Sequence, residues 1–195
     1  MTKFTSIVLL FTSLSCVTFS QSNLEFQREC RITGGIGVAG GTKNTVSVGK
    51  DIWVQLAYKL SQNISVATEF ENMNYKQLGY YKELPVNPNE VNVVDNNFSL
   101  LLKYHLFTKS KVKVALASGW TYTVRQSEYY FYEFDSTSQH WFRNVTSFSD
   151  YRIPLLLELE YPVSKKLNVQ ARVKYNLNPQ NGDTYSSGIG LSLKL

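Results

Sequence analysis

From Leu167 to Leu177 the odd positions are Leu167, Val169, Ala171, Val173, Tyr175 and Leu177, and the even ones are Asn168, Gln170, Arg172, Lys174 and Asn176. A period of two with one apolar and one polar face is the pattern of a β-strand. The pattern returns from Tyr151 to Tyr161, where Ile153, Leu155, Leu157 and Leu159 oppose Arg152, Glu158 and Glu160. It returns from Val112 to Val124, where Val114, Leu116, Trp120 and Tyr122 oppose Lys113, Ala115, Ala117, Gly119, Thr121, Thr123 and Arg125. Phe98 to Leu106 faces Ser99, Lys103 and His105; Ile52 to Leu60 faces Gln55 and Lys59; Ile64, Val66 and Phe70 face Ser65, Glu69 and Glu71. Tyr185 to Leu195 closes the series, with Ile189, Leu191 and Leu193 against Gly188, Gly190, Ser192 and Lys194. The Gly-rich stretch Ile32 to Val38 fits the template more weakly and completes eight predicted strands.

A sandwich of two antiparallel sheets also alternates, so the connections have to discriminate. Ser61 to Asn63, Thr108 to Lys111 and Pro162 to Lys166 read as short turns. Gln77 to Val94, Phe134 to Ser147 and Asn178 to Asp183 read as longer loops, and the two kinds alternate along the chain. That asymmetry is the signature of a transmembrane barrel with short periplasmic turns and long external loops. Aromatic residues agree with it. Tyr58, Tyr104, Phe107 and Tyr161 fall near the short-turn rim, and Phe70, Phe98, Trp120, Tyr122, Tyr151, Tyr175 and Tyr185 toward the other. Two belts are what the two headgroup layers select. The predicted fold is all-β, an eight-stranded antiparallel up-and-down transmembrane β-barrel with both termini at the short-turn rim.

Composition narrows the picture. Beyond residue 21 no uncharged run approaches the ~20 apolar residues of a spanning helix. Thirteen Tyr, eleven Phe and three Trp against five Pro favour strands. The net charge is +5, but Lys and Arg are scattered and form no stripe that would track a phosphate backbone, so nucleic acid is not predicted as a partner. At the start of the chain Lys3, the apolar run Ile7 to Phe19, and Thr18 and Ser20 before Gln21 read as a secretory signal peptide over residues 1–20, with the barrel domain at 21–195. Cys16 lacks the Leu three residues before it that a lipobox shows, and removal of the signal leaves only Cys30, so no disulfide is expected.

The run Asp150-Tyr151-Arg152-Ile153-Pro154-Leu155-Leu156-Leu157, continued by Glu160-Tyr161-Pro162-Val163-Ser164-Lys165-Lys166-Leu167, and the earlier Tyr58-Lys59-Leu60-Ser61-Gln62-Asn63-Ile64-Ser65-Val66 carry a resemblance. They resemble the small, porin-like outer-membrane β-barrel domain family of Gram-negative bacteria. The resemblance implies an outer-membrane location and carries no catalytic residue onto this chain. One departure is the final Leu195, where such barrels commonly end in Phe, although the alternating C-terminal signal read by the insertion machinery is kept.

Eight tilted strands leave an interior that side chains can fill. The inward faces would carry Glu69, Glu71, Glu158 and Glu160 beside Arg31, Lys103, Arg125, Arg152, Arg172 and Lys174. Enclosed charges must be paired or solvated, so these predict an ion network that plugs the lumen or gates a narrow path. Ala115, Ala117, Gly119, Gly35, Gly37 and Ala39 would leave room for the longer charged side chains. Outside, Tyr129, Tyr130 and Tyr132, followed by Trp141 and Phe142 on the return, predict an aromatic extension suited to binding a surface protein or glycan. Asp135, Ser136, Ser138 and His140 crowd one loop and make a poor catalytic triad, and no Cys/His/carboxylate cluster has metal spacing.

The sequence therefore predicts a non-enzymatic outer-membrane barrel presenting external loops for adhesion, surface recognition or envelope integrity. A narrow channel, or a subunit of an envelope transport or secretion complex, is the alternative. Expected partners are outer-membrane lipid, the insertion machinery during biogenesis, and a surface protein or glycan; the chain is expected to be a monomer without cofactor.

Overall fold

The computed structural model describes residues 29–42, 45–78, 90–106, 111–135, 138–178 and 182–195, with the side chains of 45–46, 78, 90, 129–135 and 138–144 outside the description. The strands are β1 (Cys30–Gly41), β2 (Thr45–Lys59), β3 (Ile64–Leu78), β4 (Glu90–His105), β5 (Lys113–Asp135), β6 (Ser138–Pro162), β7 (Leu167–Leu177) and β8 (Thr184–Lys194). Each pairs antiparallel with its neighbours in chain order. The ladder from Arg31↔Lys194 to Gly41↔Thr184 joins β1 to β8 and closes the barrel. Closure leaves no unpaired sheet edge within the wall. One weak point is the stretch of β6 around Pro154, where the β5 ladder lapses between Ser118↔Leu155 and Thr121↔Arg152. Proline has no N–H to give it.

The alternation read from the sequence sets the two faces. Ile36 is 65% exposed, Trp120 71% and Tyr151 76%, whereas Glu71, Asp95 and Lys174 are fully buried. That is the reverse of a water-soluble core, and it places an apolar band toward hydrocarbon with the ionised groups enclosed. On the outside Phe70, Phe98, Tyr122 and Tyr151 occupy directly paired positions of four successive strands. Phe70 and Phe98 lie 5.0 Å apart between ring centroids, and Tyr122 and Tyr151 5.3 Å. The upper aromatic belt is thus a continuous row across β3 to β6. At the other rim Tyr58, Tyr104 and Tyr161 sit within a few residues of the turns as expected; Phe107 lies outside the described residues.

The loops differ from the sequence reading. One of the segments read as long loops is largely strand, since β5 and β6 pair as far as Asp135↔Ser138; of the segment 77–94, residues 77–78 belong to β3 and 90–94 to β4, and the rest lies outside the described residues. Strand length adds to the asymmetry between the rims, from 11 residues in β7 and β8 to 23 in β5 and 25 in β6. About 9–11 tilted residues suffice to cross a bilayer. The surplus in β5 and β6 projects beyond it.

Candidate functional site

The inward residues of all eight strands meet in the lumen. At the short-turn mouth Arg31 bridges Glu29 and Glu160, with 2.5 Å from its Nη1 to Glu160, and Lys194 Nζ lies 2.8 Å from Glu29. Glu29 precedes β1 at this rim. Burial alone would raise its carboxyl, but hydrogen bonds from Lys194 and Arg31 outweigh that and hold it below the usual carboxylate range. Beside it the hydroxyl of Ser65 meets His105 Nε2 at 2.7 Å.

One step deeper, Lys103 contacts the carboxylate of Glu158 and donates to Gln55 Oε1 at 2.6 Å. The Gln55 amide nitrogen in turn donates to Glu158 and, at 3.0 Å, to Glu69. A patch of Ala57, Ala67, Leu101, Ala117 and Leu156 packs alongside. The small side chain of Ala117, directly paired with Lys103, leaves space for that ammonium to cross toward β6.

The centre is the densest part. Arg172 of β7 reaches Glu69 at 2.7 Å and Glu71 at 2.5 Å, both on β3, and Asp51 of β2 at 3.1 Å. Lys174 reaches the same two glutamates at 2.7 and 2.8 Å. Asn97 and Ser186 donate the remaining hydrogen bonds to Glu71 at 3.0 and 2.8 Å. Strands β3 and β7 stand on different sides of the barrel, so these pairs are struts across the lumen. The Trp53 ring covers Arg172 at 3.7 Å from guanidinium carbon to centroid. A Cβ added to Gly188 would lie 2.7 Å from that ring, and one added to Gly35 would overlap it. The sequence reading gave the room at Gly35 to charged side chains. The structure corrects this, because the space is taken by an indole.

Toward the long-strand end Arg125 grips Asp95 with two parallel hydrogen bonds of 2.6 and 2.7 Å. Arg152 reaches the same carboxylate at 3.1 Å and Asp150 at 3.0 Å, while Tyr75 receives a hydrogen bond from Arg125 at 2.8 Å. Asn178 ties Asp150 to the β7–β8 connection. Beyond this layer Ala39, Met73, Tyr75, Val91 and Val93 form a small apolar cluster.

All ten lumen residues singled out from the sequence enter this network. Glu29, Asp51, Asp95 and Asp150, the acids that complete it, were missed, as were Gln55 and Trp53 as members. Asp51 and Asp95 share the inward parity of Gln55 and Ser99, and extending each strand toward its long-rim end would have found them. Every layer pairs cations with carboxylates, two against three in the central one, and paired charges in a shielded lumen are a tie whose single-sided removal is costly. On the β7–β8 wall the Gln170 amide and the Ser192 hydroxyl make no protein hydrogen bond, so that wall keeps a polar character.

Outside the membrane band, the backbones of Tyr129, Tyr130 and Tyr132 pair with those of Asn144, Arg143 and Trp141, and Phe142 pairs with Phe131. Their side chains, and those of Asp135, Ser138 and His140, lie outside the described residues, as does Ser136. Among the described residues no group of three His, Cys, Asp or Glu side chains could hold a metal ion.

No protein-family model matches the chain, and no curated protein does. Solved structures match its fold. A major outer membrane protein from Thermus thermophilus superposes with a TM-score of 0.62 at 14% identity, over 87% of this chain and 100% of that one. Ail, the attachment invasion locus protein of Yersinia pestis, gives 0.59 at 9% identity over 87% and 100%. Outer membrane protein OprG from Pseudomonas aeruginosa gives 0.59 at 14% identity over 86% and 96%. The chain thus has the fold of the small, eight-stranded outer-membrane β-barrels.

Proposed function

We propose that this protein, after loss of residues 1–20 as a signal peptide, is an integral outer-membrane protein whose barrel is a sealed anchor and whose projecting β5–β6 ribbon recognises a surface protein or glycan. It needs no cofactor, acts as a non-enzymatic monomer, and meets lipid and the insertion machinery as its obligatory partners. The observation that carries this reading is the length of one ladder. The last β4 partner of β5 is Asn92↔Glu128 and the last β7 partner of β6 is Ile153↔Leu177, yet β5 and β6 stay paired to Asp135↔Ser138. Among the described residues this two-stranded ribbon extends past the last pairings of its neighbours, and its aromatic sequence and its edges there are suited to recognition. The fold neighbour Ail is an attachment invasion protein, solved with the heparin analogue sucrose octasulfate, which supports adhesion as the task. Ion pairs across the lumen count against the channel alternative.

The test is to replace residues 129–144 by an Asn-Gly turn and compare adherence of expressing cells to immobilised heparin and to cultured epithelial cells. Adherence should fall to that of non-expressing cells while the trimmed barrel still shows a heat-dependent gel shift. Unchanged adherence with an intact barrel overturns the reading.

A further inference from the structure

The short-turn rim carries charge that the lumen network does not consume. The β6–β7 turn is held by main-chain bonds from Val163 and Ser164 to the Leu167 carbonyl, of 2.9 and 3.0 Å, and by the Ser164 hydroxyl, which accepts from the N–H of Lys166 and Leu167. The turn is thereby fixed with Lys165 and Lys166 at its exposed tip. Lys113, Lys194 and Arg31 line the same open groove, and its acid is Glu29, already shared between Arg31 and Lys194. Lys113, Lys165 and Lys166 have no carboxylate partner among the described residues. The opposite rim is mixed: there Asp150 and Asp183 sit among the described groups, engaged with Arg152, Asn178 and Tyr175.

The level of this groove identifies its occupant. Outward-facing Tyr161 immediately precedes the turn and is 54% exposed, and Tyr104 on β4 is 49% exposed at the same rim. Amphipathic rings mark the headgroup layer, and lysines beside them reach the phosphates. We propose that the groove at the β6–β7 turn binds the headgroup phosphate of an anionic phospholipid in the leaflet on the short-turn side. Lys113, Lys165 and Lys166 supply the charge, and the preference is for a headgroup with net negative charge over a zwitterionic one. The inference rests on the membrane-spanning part of the functional reading and not on recognition by the ribbon.

The experiment places the full folded chain in nanodiscs of equal parts phosphatidylglycerol and phosphatidylcholine and counts co-released lipid by native mass spectrometry. Phosphatidylglycerol should be enriched several-fold, and K113Q/K165Q/K166Q should erase the enrichment. The opposite-rim variant K50Q/K76Q should keep it. Added inorganic phosphate should leave the enrichment largely intact if the site needs a lipid; complete loss at millimolar phosphate shows a general anion site and overturns the lipid assignment. Equal enrichment in the triple variant overturns the proposal. A heat-dependent gel shift is read on every sample: its absence in the unmodified chain refutes the membrane reading itself, whereas its presence without enrichment refutes only this site.

Discussion

The Arg172 guanidinium carbon lies over the Trp53 indole, 3.7 Å from the ring centroid, in the middle of a lumen that also holds Asp51, Glu69 and Glu71. The indole shields one face of the cation while its two terminal nitrogens donate to the carboxylates. This arrangement explains how a guanidinium whose side chain is fully buried is accommodated inside a barrel.

Arg172→Gln leaves three carboxylates to Lys174 alone, and it should destabilise the folded barrel by roughly 3–5 kcal/mol, as removal of one side of a buried ion pair does. E71Q/R172Q, which removes a charge of each sign, should recover a large part of that loss. Urea unfolding in lipid vesicles followed by tryptophan fluorescence measures both. A double variant no more stable than R172Q alone contradicts the strut assignment.

Gly35 is fixed by the same indole. A methyl group there overlaps the Trp53 ring and comes within 2.5 Å of the Ile189 carbonyl oxygen. Gly35→Ala should cost about 1–3 kcal/mol by overpacking, in the same unfolding assay. Gly34→Ala, whose added carbon would meet only the Trp53 carbonyl at 3.8 Å, should be nearly neutral.

The period-two pattern made most of the fold legible, because in a barrel each residue's face is decided locally by parity. It put Glu158 and Arg172 on the inward face as readily as Lys103, and all three are buried there. Strand ends were less legible: hydrogen-bonded pairing continues through polar stretches such as Asn92 to Asn97, where alternation no longer contrasts apolar with polar. Asp95 was missed for that reason. Trp53 was missed as an inward residue because an indole among charges breaks the polar-face rule, and only the glycines on β1 and β8 make room for it.

Refolded protein in planar bilayers should show no resolved conductance steps. W53A/R172A, which removes the central strut and its cover, should introduce a leak. Steady, charge-selective openings in the unmodified chain that vanish in E69Q or R125Q would favour the channel alternative.

The Glu29 carboxylate anchors both Arg31 of β1 and Lys194 of β8, the two strands that close the barrel. Its depressed pKa means that its stabilisation is complete above the unfolded value of about 4.3 and is lost as pH falls through the lower folded value. Amide exchange at Leu195, whose N–H bonds the Cys30 carbonyl at 2.9 Å, should therefore accelerate below about pH 4, relative to a mid-strand amide and to intrinsic rates. Glu29→Gln should show the faster relative exchange already at neutral pH and lose the pH step.

Trp120 points outward from β5 and Trp53 inward from β2, 71% and 1% exposed respectively, so the two indoles report the two sides of the wall. In single-tryptophan variants reconstituted in vesicles, Trp120 fluorescence should be strongly quenched by lipid brominated on its acyl chains and little affected by aqueous acrylamide, and Trp53 should be protected from both. Quenching of Trp120 by acrylamide with no response to brominated lipid would contradict a barrel that turns its apolar face to the bilayer.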